Sequence, residues 1–169
     1  INYLGSERDV RVEPLTNYFV ARIKQDFNKG KTTIGGMVTA VNRDINSPDL
    51  LFLPNSAYTG GLDFKHYWKE RTYYVGLNTN FSNVRGDAEA ISNLQNSSAR
   101  YYQRPDASHL EMDETRTELS GTAASLKLGK GGSGKWLFES SLTYRSPGFE
   151  INDIGYMRSS DVIHHGTWV

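Results

Sequence analysis

Hydrophobic and polar positions alternate along Ser56 to Ser82, SAYTGGLDFKHYWKERTYYVGLNTNFS, and the rest of the chain is arranged around that stretch. One face of its first half carries Tyr58, Gly60, Leu62, Phe64, His66 and Trp68. The other carries Thr59, Gly61, Asp63, Lys65, Tyr67 and Lys69. A period of two predicts a strand. Glu70 and Arg71 form a short polar turn, after which Tyr73, Val75, Leu77, Thr79 and Phe81 alternate with Tyr74, Gly76, Asn78, Asn80 and Ser82, so the stretch reads as a hairpin. Each arm has about 11–13 residues, roughly twice the usual strand length. Tyr58 to Trp68 covers about 34 Å of strand. At a tilt of about 40° it rises about 26 Å, close to the apolar band of an outer-membrane barrel. Aromatic residues stand at both ends of the apolar face and charges lie in the middle of the opposite one.

The pattern extends along the chain. Residues 1–16 read as loop. Residues 17–27 read as a strand with Phe19, Ala21 and Ile23 on its apolar face, and Gln25 interrupting that face. Asn28 to Lys31 form a turn into a strand over 32–43. The facing of that strand is open, because Ile34, Gly36, Val38 and Ala40 compete with Met37, Thr39 and Val41. The hairpin strands are placed at 57–69 and 72–82. Further strands follow at 117–128 and 136–145, joined by a glycine-rich turn over Gly129–Lys135, and a seventh begins at 166–169. Long loops fill 44–55, 83–116 and 146–165. In the first, Leu50 to Leu53 is apolar enough to fold back onto the strands or another loop; in the second, the part from Asp87 to Arg100 can hold a short helix. Short and long connections therefore alternate, as in barrels with short periplasmic turns and long external loops. Trp68, Tyr73, Trp136 and Phe27 fall at the short-turn rim, and Phe19, Tyr58, Phe81 and Tyr144 at the other.

Composition agrees with this reading. The 169 residues carry no net charge, which removes any pull toward nucleic acid. The absence of cysteine excludes disulfides and thiolate metal sites. Only 37% of residues are hydrophobic, yet there are 10 Tyr, 7 Phe and 3 Trp, which is what alternating barrel strands produce. No apolar run is long enough for a spanning helix. The predicted fold is all-β: an antiparallel up-and-down transmembrane β-barrel segment of about six to seven strands, fewer than the eight of the smallest such barrels. The chain starts and stops in mid-element, so it is read as one partial barrel domain, 1–169, of a larger protein. The alternative is a soluble β-sandwich with one wet face.

Candidate chemistry is sparse. Gly129–Lys135 matches most of a phosphate-binding loop, but Trp136 stands where Ser or Thr is needed and a strand follows instead of a helix, so a flexible hairpin turn is the better reading. His164 and His165 point to opposite faces of a strand and cannot share a metal. Glu111, Asp113 and Glu114 are candidate calcium ligands, without the glycine or spacing of an EF-hand, and are otherwise a solvated loop. Tyr101, Tyr102 and Arg104 are the candidate ligand-binding residues, an aromatic platform beside a hydrogen-bonding group, set against loop self-packing. Arg22, Lys24, Asp26, Asp63, Lys65, Lys69, Glu139 and Arg145 share the inward face, the mixed-charge interior of a barrel. No catalytic constellation stands out, and no cofactor is expected.

NYFVARIKQDFNKGKTTIGGM, SAYTGGLDFKHYWKERTYY, SSARYYQRPDASH and SPGFEINDIGYMRSSD resemble the barrel region of a family of Bacteroidetes surface proteins. Tyr102 to Asp106 and Asn152 to Arg158 are the most distinctive stretches. In that family a carbohydrate-binding domain of the family-9 type precedes a barrel of unknown function, and no catalytic residues carry over. The resemblance implies the bacterial outer membrane as location, with its lipid, a surface glycan and other surface proteins as partners. The expected function is surface glycan binding or uptake. The alternatives are a barrel acting as an anchor or assembly partner without transport, and a soluble sugar-binding or hydrolase module.

Overall fold

The computed structural model of the chain describes residues 2–3, 6–7, 11–132 and 134–169. Part of the loop read over residues 1–16, and Ser133 of the glycine-rich turn, lie outside the described residues. Asn2–Tyr3 (β1) and Ser6–Glu7 (β2) pair as a small ribbon. Seven strands then follow in one sheet: Leu15–Phe27 (β3), Thr32–Asp44 (β4), Ser56–Trp68 (β5), Tyr73–Arg85 (β6), Glu118–Lys130 (β7), Phe138–Arg145 (β8) and Val162–Trp168 (β9). Each is antiparallel to the next and the spatial order is the chain order, so the fold is an all-β, up-and-down sheet. β3 and β9 are its two edges and do not pair with each other, which leaves the sheet open. Among the described residues the only α-helix is Ala88–Asn96 (α1), inside the predicted 87–100 stretch.

The strands β3 to β7 have 13 residues each. That length covers about 40 Å, or about 30 Å of rise at a tilt of about 40°. Several ends differ from the sequence reading. β6 runs on to Arg85 because Asn83, Val84 and Arg85 still pair with β5 and β7. β9 begins at Val162, where β8 supplies a partner in Arg145. Lys69 leaves the strand: Lys69, Glu70 and Arg71 all take positive φ, so the turn is longer than Glu70 and Arg71 alone. Trp136 precedes β8, and Phe138, paired with Lys130, takes its place at the short-turn rim. Leu50 closes a short 3₁₀ turn, Pro48–Leu50, and is buried, but Phe52 of the same apolar run is exposed, so the run folds back only at its start.

Cross-strand register settles which residues share a face. Phe19, Ala40 and Tyr58 lie in one row, and Ile23, Gly36, Leu62, Thr79 and Ala124 in another. Ile34, Gly36, Val38 and Ala40 of β4 therefore join the apolar face, and Met37, Thr39 and Val41 the opposite one. Along the seven strands the apolar face carries charge only at its margins: Asp44, Arg85 and Glu118 at the loop end and Lys130 at the turn end. Its large side chains are bare, with Ile23 76% and Leu62 66% exposed. Phe64, His66 and Trp68 stack in succession along β5, and Trp68 stacks on Tyr73 at 5.8 Å. At the loop end Tyr58 donates to Asn42 at 2.6 Å, Asn83 donates to Ser120 at 2.8 Å, and Arg85 pairs with Glu118 at 3.2 Å, forming a polar margin.

The opposite face is divided along the strands. At the loop end Val41, Ala57, Val84 and Leu119 from β4 to β7 are buried beneath Ile91 of α1 and Tyr102. Toward the turn end the same face is polar, and Asp63, Asn80 and Tyr74 lie over the bare backbone of Gly35, Gly61 and Gly129 of the neighbouring strands. Among the described residues a packed core thus exists only where the long loops fold over the sheet.

Candidate functional site

The loop end is the most elaborated part of the molecule. Asp87 caps α1 by accepting from the Glu89 N–H at 3.2 Å, and the acidic Glu89 complements the positive end of the helix dipole. Ile91 and Ala90 face the sheet and are buried. Buried Gln95 donates to the Asp113 carbonyl at 2.8 Å and accepts from the Asp113 N–H at 3.1 Å, tying the helix to the end of its own loop. The third long loop then crosses above β7. Ser146 N–H donates to the Thr122 carbonyl at 2.8 Å, and Glu150 N–H donates to buried Ser82 at 2.9 Å.

The second and third loops interlock through charged groups. Arg100, with its side chain 1% exposed, lies 2.5 Å from Glu150, 2% exposed. The contact is an ion pair, since Coulomb attraction depends on distance and not on donor angle. Arg100 also donates to the Phe149 carbonyl at 2.6 Å, while its Nε–H and Glu150 Oε2 have no hydrogen-bond partner. Arg43 donates to Asp153 at 2.6 Å and to the Pro54 carbonyl at 3.0 Å. Between these pairs lies a cavity of about 690 Å³, lined by Arg43, Arg100, Glu150, Asp153, Tyr156 and Arg158 among others. A second charged hollow, about 310 Å³, sits on the same face nearer the turns, with Lys24, Asp63, Lys65, Lys127 and Glu139 around it. There Lys127 pairs with Glu139 at 3.6 Å, and Arg22 pairs with Asp63 at 3.1 Å.

The sequence candidates are separated by this packing. Tyr101 is exposed and takes positive φ. Tyr102, 6% exposed, belongs to the core, and burial pushes its hydroxyl pKa up. Arg104 donates to Asp161 at 2.5 Å. The three therefore do not form one platform. Asp113 accepts from the Thr115 hydroxyl at 2.7 Å and its N–H at 2.9 Å, bonds that with Arg116 nearby hold its carboxyl below the usual range. Glu111 and Glu114 line a shallow hollow with Asp113, but among the described residues no three His, Asp or Glu side chains converge on a metal position. His164 and His165 point to opposite faces of β9, and the glycine-rich stretch joins two strands. Arg22, Lys24, Asp26, Asp63, Lys65, Glu139 and Arg145 share the polar face as read; Lys69 does not, because it sits in the turn.

Residues 2–169 match the family described as "Domain of unknown function (DUF5916)". The chain belongs to this family. No curated protein and no solved structure matches it. The two stretches singled out in the sequence, Tyr102 to Asp106 and Asn152 to Arg158, both lie in the interlocked loops of this DUF5916 domain. Sequence reasoning missed Arg43, Arg100, Glu150 and Asp153 as a group because the partners are far apart in the chain; the only local signal was a pair of carboxylates, Glu150 and Asp153, set among Phe149, Ile151 and Ile154.

The clasp formed by Arg104, His109 and Asp161 makes the loop end of the DUF5916 domain acid-sensitive. Burial acts to raise the Asp161 pKa, but hydrogen bonds from His109, 3.0 Å from both carboxylate oxygens, and from Arg104 outweigh it and hold the carboxyl below its ordinary value. A depressed carboxylate contributes its full stability above the unfolded value of about 3.9 and loses it as pH falls through the folded one. Hydrogen exchange of residues 101–110 and 155–162, corrected for the intrinsic rate, is expected to rise below about pH 4. An Asp161→Asn variant should exchange faster at pH 7 and lose that acid dependence; an unchanged profile would exclude the clasp.

Proposed function

We propose that this domain is a segment of a bacterial outer-membrane β-barrel, its apolar face toward lipid and its loop end toward the cell surface, working in surface glycan binding or uptake. The observation that carries the reading is the apolar face itself. Seven strands present large side chains that no second layer covers among the described residues, and a contiguous bare apolar face of this kind marks an interaction surface. Charge is confined to the margins of that face, aromatics gather near its ends, and the other charged strand residues lie on the opposite side, the arrangement of a lipid-facing strand set. A soluble sandwich would need a second sheet against this face. The open edges of β3 and β9 leave backbone groups for further strands, and membrane barrels have at least about eight. The glycan role rests on the resemblance to Bacteroidetes surface proteins with a family-9-type carbohydrate-binding domain. One observation favours a second reading, a barrel acting as an anchor or assembly partner: the interlocked loops fill the interior face at the outer end.

The test is lipid accessibility. Residues 1–169 hold no cysteine, and single cysteines along β5 and β6, placed in a cysteine-free background of the full-length protein, can be labelled in outer-membrane vesicles with a lipid-phase probe. Labelling is expected at positions 62, 64, 75 and 77 and not at 63, 65 and 76. Water-phase labelling on both faces would overturn the membrane reading.

A further inference from the structure

Charge balance singles out one group in the cavity at the loop end. Its lining holds three arginines, Arg43, Arg100 and Arg158, against two carboxylates, Glu150 and Asp153. Arg43 is committed to Asp153, and Arg100 to Glu150. Arg158 makes no ion pair among the described residues; its Nε–H donates to the Tyr156 hydroxyl at 2.7 Å, which holds the guanidinium 5.7 Å from the ring centre, at the hydroxyl edge. Both nitrogens at the end of the guanidinium are left for a bidentate oxyanion. The Tyr156 ring is 74% exposed, so its faces are open to a flat partner. Deeper in, Arg100 is buried and its Nε–H lacks a partner, as does Glu150 Oε2. A buried N–H without a partner is a group that a ligand hydroxyl satisfies by accepting from it, while Glu150 Oε2 is held by the Arg100 charge at 2.5 Å. A volume of about 690 Å³ is in the range of small-molecule sites.

We propose that this cavity binds an acidic saccharide unit: a sugar ring lying on Tyr156, its carboxylate on Arg158 and a hydroxyl accepting from the Arg100 Nε–H. The proposal rests on the outer-mouth reading only for the source of the ligand, which is a surface polysaccharide; the binding chemistry does not need a membrane. An oxyanion without a ring satisfies only Arg158, and a neutral sugar only the ring and the Arg100 Nε–H.

The experiment is titration of the full-length protein, in detergent, with α-1,4-linked digalacturonate, its dimethyl ester and inorganic phosphate. Digalacturonate is expected to bind, with affinity falling at least tenfold for the ester. Arg158→Ala and Tyr156→Ala should each weaken it tenfold or more, and Arg158→Lys should recover only part. Because both side chains are on the surface, these variants are expected to keep the wild-type hydrogen-exchange pattern in β3 to β9, which separates lost binding from lost fold. Equal affinity for acid and ester would overturn the acidic class, and binding of phosphate as tight as the sugar would overturn the saccharide. Absence of sugar binding with cysteine labelling of the strands intact would overturn the site alone. Sugar binding with failed lipid labelling would keep the site and remove the membrane reading.

Discussion

Changing Glu150 to Ala while Arg100 stays is expected to release the loop end from the sheet. The Arg100 guanidinium would remain buried with no anion beside it, and stranding one member of a buried pair costs about 3–5 kcal/mol. The loss falls on the contact between the second and third loops. The strands keep their ladders, so the effect should be local. Protease cleavage within 86–117 and 146–161 of the full-length protein should accelerate roughly in proportion to the opening, a hundredfold or more for about 3 kcal/mol. A double change, Arg100→Met with Glu150→Leu, removes both charges and should regain most of the protection, because replacing a buried pair by apolar groups of similar volume is often neutral. Equal loss in the single and double variants would show that packing volume, and not the pair, holds the loops.

The second large effect is steric. At Gly121 an added Cβ would land on the backbone of Gly148 and Phe149, and at Gly148 on the carbonyl oxygen of Ser120. Backbone meets backbone where the third loop crosses β7, so no side chain can swing aside. Neither glycine has a positive φ, and the requirement is for space alone. Gly121→Ala should cost on the order of 3 kcal/mol, at the upper end of overpacking effects. It should also expose Phe149 and Met157, which pack with Ala123 just beside the crossing. Gly76→Ala is the matched control: its Cβ would meet the Lys127 Cβ at 3.9 Å, an ordinary contact. Urea unfolding followed by tryptophan fluorescence, together with the same protease assay, distinguishes them. Comparable loss in both variants would mean that strand propensity is being read and not the crossing.

The strands were legible because alternation is a local signal. β5 and β6 each keep apolar residues on one side for most of their length, and every step of two repeats the information. β4 was not legible in its facing for a physical reason: both of its faces meet apolar surroundings. Ile34 and Val38 lie on the bare face, while Val41 lies under the loops with Tyr102 and Leu119. Only pairing with Phe64 and Gly60 on β5 decides the matter. Trp136 shows the reverse error. An aromatic in phase with a strand looks like its first residue, but the ladder starts at Phe138, where a partner exists.

The loops were legible in their existence and not in their content. Asp87 followed by Ala88 and Glu89 carries a helix start in the sequence. Nothing local marks Tyr102 as core and Tyr101 as surface; adjacent residues in a loop have no fixed period, and the difference arises from Val84, Ile91 and Leu119 meeting above the sheet. The same holds for Arg43 and Asp153, which are 110 residues apart.

By itself, the sequence determined the strands, their turns, the alternation of short and long connections and the division of side chains into an apolar and a polar set, because each follows from the geometry of a few consecutive residues. The tertiary structure alone decided which of two apolar faces β4 turns outward, that the long loops close over the loop end, and which arginine there is left without a carboxylate. Those outcomes depend on cross-strand register and on charge pairs between distant segments, and neither is encoded in any local period.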